Sequence, residues 1–273
     1  MIIWNVSKGV FFVKEEQIVV LKCGGSSIDD LSDTFFYNLK SLMTAGIKPV
    51  IVHGGGPAIQ RLLDQLNIES EFVDGLRKTT EEMMDVVEMV LVGKVNPAFT
   101  RRVNAMGISA VGISGSDMNL LQADAINFDR YGFVGEVSEV NTDYIHQLLE
   151  AGIVPVISPI AIGKDQKRYN INADTAAGAV ASALHAKQLI FVTDVPGILK
   201  DDKLLESVTT EEVEQLIADG TIYGGMIPKV KAAVSGLMGN VDEVMIVNGK
   251  KSELMNKTTF AGTTIMKAHL VKA

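Results

Sequence analysis

Short apolar runs rich in β-branched residues alternate with helix-forming stretches along almost the whole chain. That alternation restricts the fold more than any other feature. Strands are predicted at Ile18–Lys22, Lys48–His53, Ala110–Ile113, Ile153–Ser158, Gln188–Thr193, Glu243–Val247 and Thr263–Met266. Helices are predicted at Asp33–Ala45, Pro57–Leu66, Thr80–Val92, Thr142–Ala151, Ala173–Leu184, Thr210–Ala218 and Ile227–Leu237. Several have an Asn, Asp, Ser or Thr at the start and a Gly at the end, as in Asn141-Thr142-Asp143 and Ala151-Gly152. Such a pattern implies an α/β protein with a mostly parallel open sheet and helices on both faces, its ligands at the carboxyl ends of the strands. Leu120–Val140 breaks the pattern: two extended stretches flank Asp129-Arg130-Tyr131-Gly132 and predict a β-hairpin. Glu69–Arg77 is a second hairpin candidate. Either hairpin could cover a substrate or be an ordinary surface excursion.

Composition narrows the function classes. The apolar runs are strand-sized and interrupted by Gly, Pro or charge, so no membrane span is expected. The single cysteine, Cys23, rules out an internal disulfide and fits a reducing cytoplasm. A net charge of −8 argues against general nucleic-acid binding, yet leaves room for ATP in a site with a few local lysines. Residues Met1–Gln17 lack the cleavage site and apolar core of a signal peptide. An added strand, a short helix and a disordered start are all open for them. A lobe boundary near Ala173 is expected, although no shift in composition marks it.

The candidate chemistry sits in glycine-rich turns. Lys22-Cys23-Gly24-Gly25-Ser26-Ser27 follows a predicted strand and puts one positive charge beside free backbone N–H groups, an arrangement that attracts phosphate. It is not a Walker pattern, because no G-x-x-x-x-G-K-[ST] occurs in the chain. His53-Gly54-Gly55-Gly56-Pro57 also lies between a strand and a helix, and would open on the same sheet edge. The same HGGG run serves esterases as an oxyanion hole. That reading needs a G-x-S-x-G elbow, and Gly112-Ile113-Ser114-Gly115-Ser116 ends in Ser, so a hydrolase is rejected. Arg77, beside the Asp74-Gly75 turn, could grip a carboxylate or be a solvated surface residue.

Tyr169-Asn170-Ile171-Asn172-Ala173-Asp174 offers two amides and a carboxylate where capping a helix needs only one of them. Asp174 is suited to orienting lysines rather than taking a proton. Asp194 ends a strand and could contact a nucleotide or close a loop. Tyr223-Gly224-Gly225-Met226-Ile227-Pro228-Lys229 places Lys229 in the first turn of a helix, against the usual dipole preference. His53 and Cys23 read as packing or turn residues. The four histidines form no metal-binding spacing, and no metal site is expected.

Taken in order, KCGGSS, HGGGP, DGLRKT, YNINADTAA, TDVPGIL and GGMIPKV resemble the motifs of the amino acid kinase family, from Ile18 to the carboxyl end. The match is closest to the branch that phosphorylates N-acetyl-L-glutamate on the route to arginine. The resemblance implies a three-layer open sandwich around a mainly parallel sheet of about eight strands. It also implies an amino-acid lobe over residues 18–172 and a nucleotide lobe over 173–273. Lys22 and Lys229 would stabilise the migrating phosphoryl group, with Asp174 holding both lysines. Gly55, Gly56, Arg77, Asn170 and Asn172 would meet the substrate. Gly24, Gly25, Asp194, Tyr223, Gly224, Gly225 and Met226 would border ATP, which would bring Mg²⁺ with it.

The resemblance leaves other acceptors open, such as aminoadipate carried on a partner or carbamate, and also a silent amino-acid-binding regulator. A homodimer is expected. Hexamers in this family use an amino-terminal helix that Met1–Gln17 does not convincingly supply, although a hexamer stays open. One departure concerns a loop: the family often has Gly-x-Asp-Gly where this chain has Gly115-Ser116-Asp117-Met118, which puts that loop's shape in question.

Overall fold

The strand Gln17–Cys23 sorts its side chains by parity, and that sorting organises the molecule. Val19, Leu21 and Cys23 point to one face, where they pack with Phe35, Phe36, Leu39, Phe99 and Val103 from the helices Asp33–Thr44 and Asn96–Ala105. Ile18 and Val20 point to the other, onto Ala176, Ala177, Val180 and Ala181 of the helix Ala173–Ala183. Small side chains let that helix lie close against the sheet. A strand buried on both faces between helical layers is the three-layer arrangement the alternation implies. These relations come from a computed structural model, which describes residues 17–24, 31–224, 226–237, 239–251, 253–256 and 259–267. Gly25, Gly225 and residues 1–16 of the predicted amino-terminal extension lie outside the described residues, while Gln17 opens the first strand.

The central sheet has eight strands. From one edge to the other they are Ser207–Thr209, Gly262–Met266, Glu243–Asn248, Gln188–Thr193, Gln17–Cys23, Ile47–His53, Val154–Ser158 and Ala110–Ser114. Every neighbouring pair is parallel except Glu243–Asn248 with Gly262–Met266. From Gln17–Cys23 the chain proceeds to Ile47–His53 on one side. It reaches Gln188–Thr193, on the other side, only much later. The strand order therefore reverses between the first strand and Gln188–Thr193, the point at which an open α/β sheet leaves a crevice at the carboxyl ends of its strands.

The predicted Leu120–Val140 hairpin forms from Leu121–Ala125 and Val134–Val140, with a short helix, Phe128–Tyr131, at its tip. With Ile160–Ile162 and Arg168–Ile171 it builds a second, four-stranded sheet beside the first. The Glu69–Arg77 candidate is a smaller hairpin, Phe72–Val73 with Leu76–Arg77. Its turn is tied to the larger hairpin: Tyr131 Oη donates to Asp74 Oδ2 at 2.6 Å, and Arg130 pairs with the same oxygen.

Two local features differ from the sequence reading. The helix predicted to stop at Val92 runs on through a π turn, Leu91–Val95, into Asn96–Ala105. Gly93 meets open space there, and Pro97 falls in the first turn of the next helix, where its missing N–H costs little. The second is Met118, which adopts left-handed φ of 52° in the loop where the resemblance leads to the expectation of a glycine, with 67% of its surface exposed. The loop keeps its shape because Asp117 Oδ2 accepts from Ser114 N and Met118 O accepts from Asn141 Nδ2. Met118→Gly is expected to stabilise the chain by about 0.5–1 kcal/mol, since relief of the left-handed strain exceeds the entropy glycine adds to the unfolded chain. A lower urea midpoint for the variant would contradict this.

Candidate active site

Lys22 shares the parity of Ile18 and Val20, so its side chain emerges at the carboxyl end of its strand on the face covered by the Ala173–Ala183 helix. Asp174 stands in that helix's first turn, where a carboxylate also suits the dipole. The two meet at 2.7 Å between Nζ and Oδ1. The cap itself is Asn172, whose Oδ1 accepts from Asp174 N at 2.8 Å and Thr175 N at 3.3 Å. Capping by Asn172 leaves the Asp174 carboxylate for the lysine.

Two cavities meet at this ion pair. One, of ≈ 240 Å³, is lined by Gly54, Gly55, Gly56, Arg77, Asn170 and Asn172 together with Lys22 and Asp174. The other, of ≈ 270 Å³, is lined by Gly24, Thr193, Asp194 and Lys229, again with Lys22 and Asp174. It lies at the carboxyl ends of the first strand and Gln188–Thr193. Gly24 leaves room for the lysine, since a Cβ there would lie 3.2 Å from Lys22 Nζ.

In the first cavity Arg77 is 7% exposed. Its guanidinium donates through Nη1 to Gln60 Oε1 at 2.6 Å and to Ser70 Oγ, and it lies 4.6 Å over the Phe72 ring. Burial lowers its pKa from the ordinary arginine value while Asp64 opposes the shift, and the group stays charged. Thr79, fully buried, donates to Arg77 O at 2.8 Å and accepts from Asn170 Nδ2 at 3.2 Å, so one hydroxyl sets both residues. Thr79 sits inside DGLRKT, but nothing in its sequence context distinguished it from its neighbours. Gly55 fits closely under Leu91, whose Cδ2 would lie 2.5 Å from a Cβ and would have to move for any larger residue.

In the second cavity the structure corrects one expectation. Asp174 does not hold both lysines: Lys229 Nζ lies 2.5 Å from Asp194 Oδ1, on the loop that ends the neighbouring strand. Each lysine has its own carboxylate. The hydrogen bond from Lys229 holds the Asp194 carboxyl below the usual range. The loop is braced by Asn248, whose Nδ2 donates to Asp194 O at 3.2 Å, a partner no motif announced. Tyr223, Gly224 and Met226 line neither cavity. Tyr223 is exposed, Gly224 makes a turn at φ of 54°, and Met226 packs against the core.

Cys23 and His53, read as packing residues, are both buried. Burial pushes the Cys23 thiol up to about 12, which leaves it inert. His53 has a partner the sequence did not reveal: Asn96 Nδ2 lies 3.1 Å from its Nε2, while its Nδ1 is 3.0 Å from Gly54 O. A carbonyl only accepts, so Nδ1 carries the proton and Nε2 accepts from Asn96. Burial brings the pKa of His53 down to about 4. An unfolded chain takes up that proton near pH 6.5, and the folded one does not until about pH 4. The contribution is full above pH 6.5 and lost as pH falls toward 4, by about 3 kcal/mol. Urea melts at pH 7 and pH 4.5 should show His53→Gln losing about 2–3 kcal/mol less than the parent chain; equal losses would contradict the assignment.

Among the described residues no three acidic, His or Cys side chains gather as a cation cage. The carboxylates at the second cavity, Asp174 and Asp194, are each taken by an ammonium group.

A sequence profile of the amino acid kinase family matches residues 17–248. The chain is 52% identical over 250 residues to an acetylglutamate kinase of Halalkalibacterium halodurans, covering 92% of this chain and 96% of that protein. It is 53% identical over 252 residues to the acetylglutamate kinase of Geobacillus thermodenitrificans, with 92% and 97% covered. Among solved structures, smu.665 from Streptococcus mutans UA159 is similar at a TM-score of 0.79 and 33% identity, covering 91% of this chain and 98% of that one. A carbamate kinase from Giardia lamblia bound to AMP-PNP shares the fold at a TM-score of 0.65 and 17% identity, with 93% and 99% covered.

Proposed function

The chain belongs to the amino acid kinase family, and from that premise we propose that it transfers the γ-phosphoryl group of ATP to the γ-carboxylate of N-acetyl-L-glutamate, a step of arginine biosynthesis. The observation that carries the site assignment is the pair of cavities joined at Lys22 and Asp174. The acyl amino acid takes the cavity of Gly55, Gly56, Arg77 and Asn170, and the nucleotide takes that of Gly24, Asp194 and Lys229. Residues 18–172 then form the amino-acid lobe and 173–273 the nucleotide lobe.

The chemistry needs little covalent help. A γ-carboxylate with a solution pKa of about 4.3 is already a nucleophile at neutral pH. One of its oxygens attacks Pγ, the bond from Pγ to the β,γ-bridging oxygen breaks, and ADP leaves with the electron pair. The obstacle is repulsion between two anions. Lys22, at the junction of the cavities, and Lys229, across the nucleotide cavity, offset it and stabilise the charge on the migrating group. Asp174 orients Lys22 and has no proton to remove. Mg²⁺ would come with the nucleotide, its remaining ligands water and phosphate, because the nearby carboxylates are engaged. When bound it would neutralise phosphate charge.

Arg77 fits the α-carboxylate, being a buried guanidinium with donors left over after Gln60 and Ser70. Arg77→Ala is expected to raise KM for N-acetyl-L-glutamate about 10²-fold, with a much smaller effect on KM for ATP. An unchanged KM would remove Arg77 from that site. No described helix is long and apolar enough to cross a membrane. A cytoplasmic homodimer is the assembly proposed, with no nucleic-acid partner.

Trapping with hydroxylamine tests the reaction and the substrate together. In the presence of ATP, Mg²⁺ and a panel of acidic amino acids, a hydroxamate should form with N-acetyl-L-glutamate and far less with glutamate, aspartate or carbamate. Preference for another acceptor would redirect the assignment within the family. Binding without any hydroxamate would favour a silent regulator.

A further inference from the structure

The π turn Leu91–Val95 puts three side chains on one loop. Asn96 N–H donates to Leu91 O, the i→i+5 bond of that turn. In an α-helix a residue five positions on lies about 140° around the axis. The widened turn brings it back toward the face of the first. Leu91 and Val95 therefore pack where a Gly55 Cβ would stand, at 2.5 Å and 3.4 Å, while Asn96 reaches His53 on the same loop.

Asn96 is 4% exposed and His53 1%. The two hydrogens of the Asn96 amide are shared among His53 Nε2 at 3.1 Å and the ends of two strands, Val156 O at 2.8 Å and Ile113 O at 3.2 Å. Gly112 leaves the space for it, since a Cβ there would lie 1.8 Å from Asn96 Oδ1. From this anchor His53 passes the constraint on through Nδ1–H to Gly54 O. Gly54 N–H donates to Cys23 O at 3.1 Å, and Gly55 O accepts from Ala58 and Ile59 N–H at 2.9 Å. Among the described residues no acceptor takes the N–H of Gly55 or Gly56, and both residues line the amino-acid cavity.

We propose that Asn96 is a positioning residue for the amino-acid substrate: acting through His53, it sets the backbone of Gly54–Gly56 against which the acyl amino acid lies. The proposal rests on the assignment of that cavity to N-acetyl-L-glutamate. Neither lysine takes part, so the effect is confined to one of the two substrates.

The test is steady-state kinetics of Asn96→Ala, His53→Gln and His53→Asn with ATP and N-acetyl-L-glutamate, with circular dichroism to confirm folding. Asn96→Ala and His53→Gln should raise KM for N-acetyl-L-glutamate at least about tenfold and leave KM for ATP within about twofold. In His53→Asn the shorter amide can take the place of Nδ1 and donate to Gly54 O, and should recover most of what His53→Gln loses. A purely structural role would move both KM values together or lower stability alone, and either result overturns the proposal. If Asn96→Ala does not fold, the two variants at position 53 decide: equal KM values for N-acetyl-L-glutamate overturn it. A parent chain that does not turn over this substrate pair would overturn the functional assignment, and the proposal with it.

Discussion

Lys22→Ala is expected to lower kcat about 10²–10³-fold while changing either KM only a few fold. The lysine is placed by a strand at the centre of the sheet, its side chain is 15% exposed, and Asp174 fixes its ammonium at 2.7 Å. An ammonium group already paired and placed between two cavities needs little reorganisation as charge moves onto the transferring phosphoryl, so its loss appears in the barrier rather than in binding. Lys22→Arg should not restore activity. The guanidinium is a wider, planar group, and the space beside the ammonium is narrow enough that a Cβ at Gly24 would lie 3.2 Å from it. Turnover within threefold of the parent in Lys22→Ala would remove the residue from the transfer step.

Lys229→Ala should lower kcat by a similar factor of about 10²–10³, and unlike Lys22→Ala it should also raise KM for ATP. The difference lies in what each lysine leaves behind. Lys229 is paired at 2.5 Å with Asp194, whose carboxylate faces the nucleotide cavity and is held below the usual range chiefly by that hydrogen bond. Without the ammonium group, a bare carboxylate stands opposite polyphosphate. Adding Asp194→Asn to Lys229→Ala should recover KM for ATP and leave kcat low. A double variant with KM for ATP no better than Lys229→Ala would show that Asp194 does not face the nucleotide.

The parts of this arrangement that are contiguous in sequence were readable there. The strand Gln188–Thr193 and the helix Thr210–Ala218 coincide with their predicted limits, because caps and β-branched runs define them locally. Thr209 and Glu212 close a capping box at the start of that helix. The helix Asn96–Ala105 was hidden because Gly93 and Pro97 both look like stops. The strands Ile160–Ile162 and Arg168–Ile171 were hidden because they are too short to show a period, and pairing across the second sheet holds them.

The site divides in the same way. Lys22 and Asp174 stand in local motifs that single them out, whereas the turn around Arg77 is equally compatible with a surface arginine, and its burial follows from packing against Gln60, Ser70 and Phe72. Which carboxylate takes Lys229 depends on how far a side chain reaches across elements 35 positions apart. The pairing of Asn96 with His53 spans 43 positions and depends on one π turn that no local pattern encodes.

The most direct measurement is a crystal structure of the chain with ADP, aluminium fluoride and N-acetyl-L-glutamate. The planar fluoride should sit at the junction of the two cavities, in line between the γ-carboxylate and the β-phosphate. Lys22 Nζ and Lys229 Nζ should each lie about 2.8 Å from it, with Asp174 still on Lys22. A fluoride bound away from Lys22, or a Lys229 ammonium that stays on Asp194 and out of reach of the transferring group, would contradict the account.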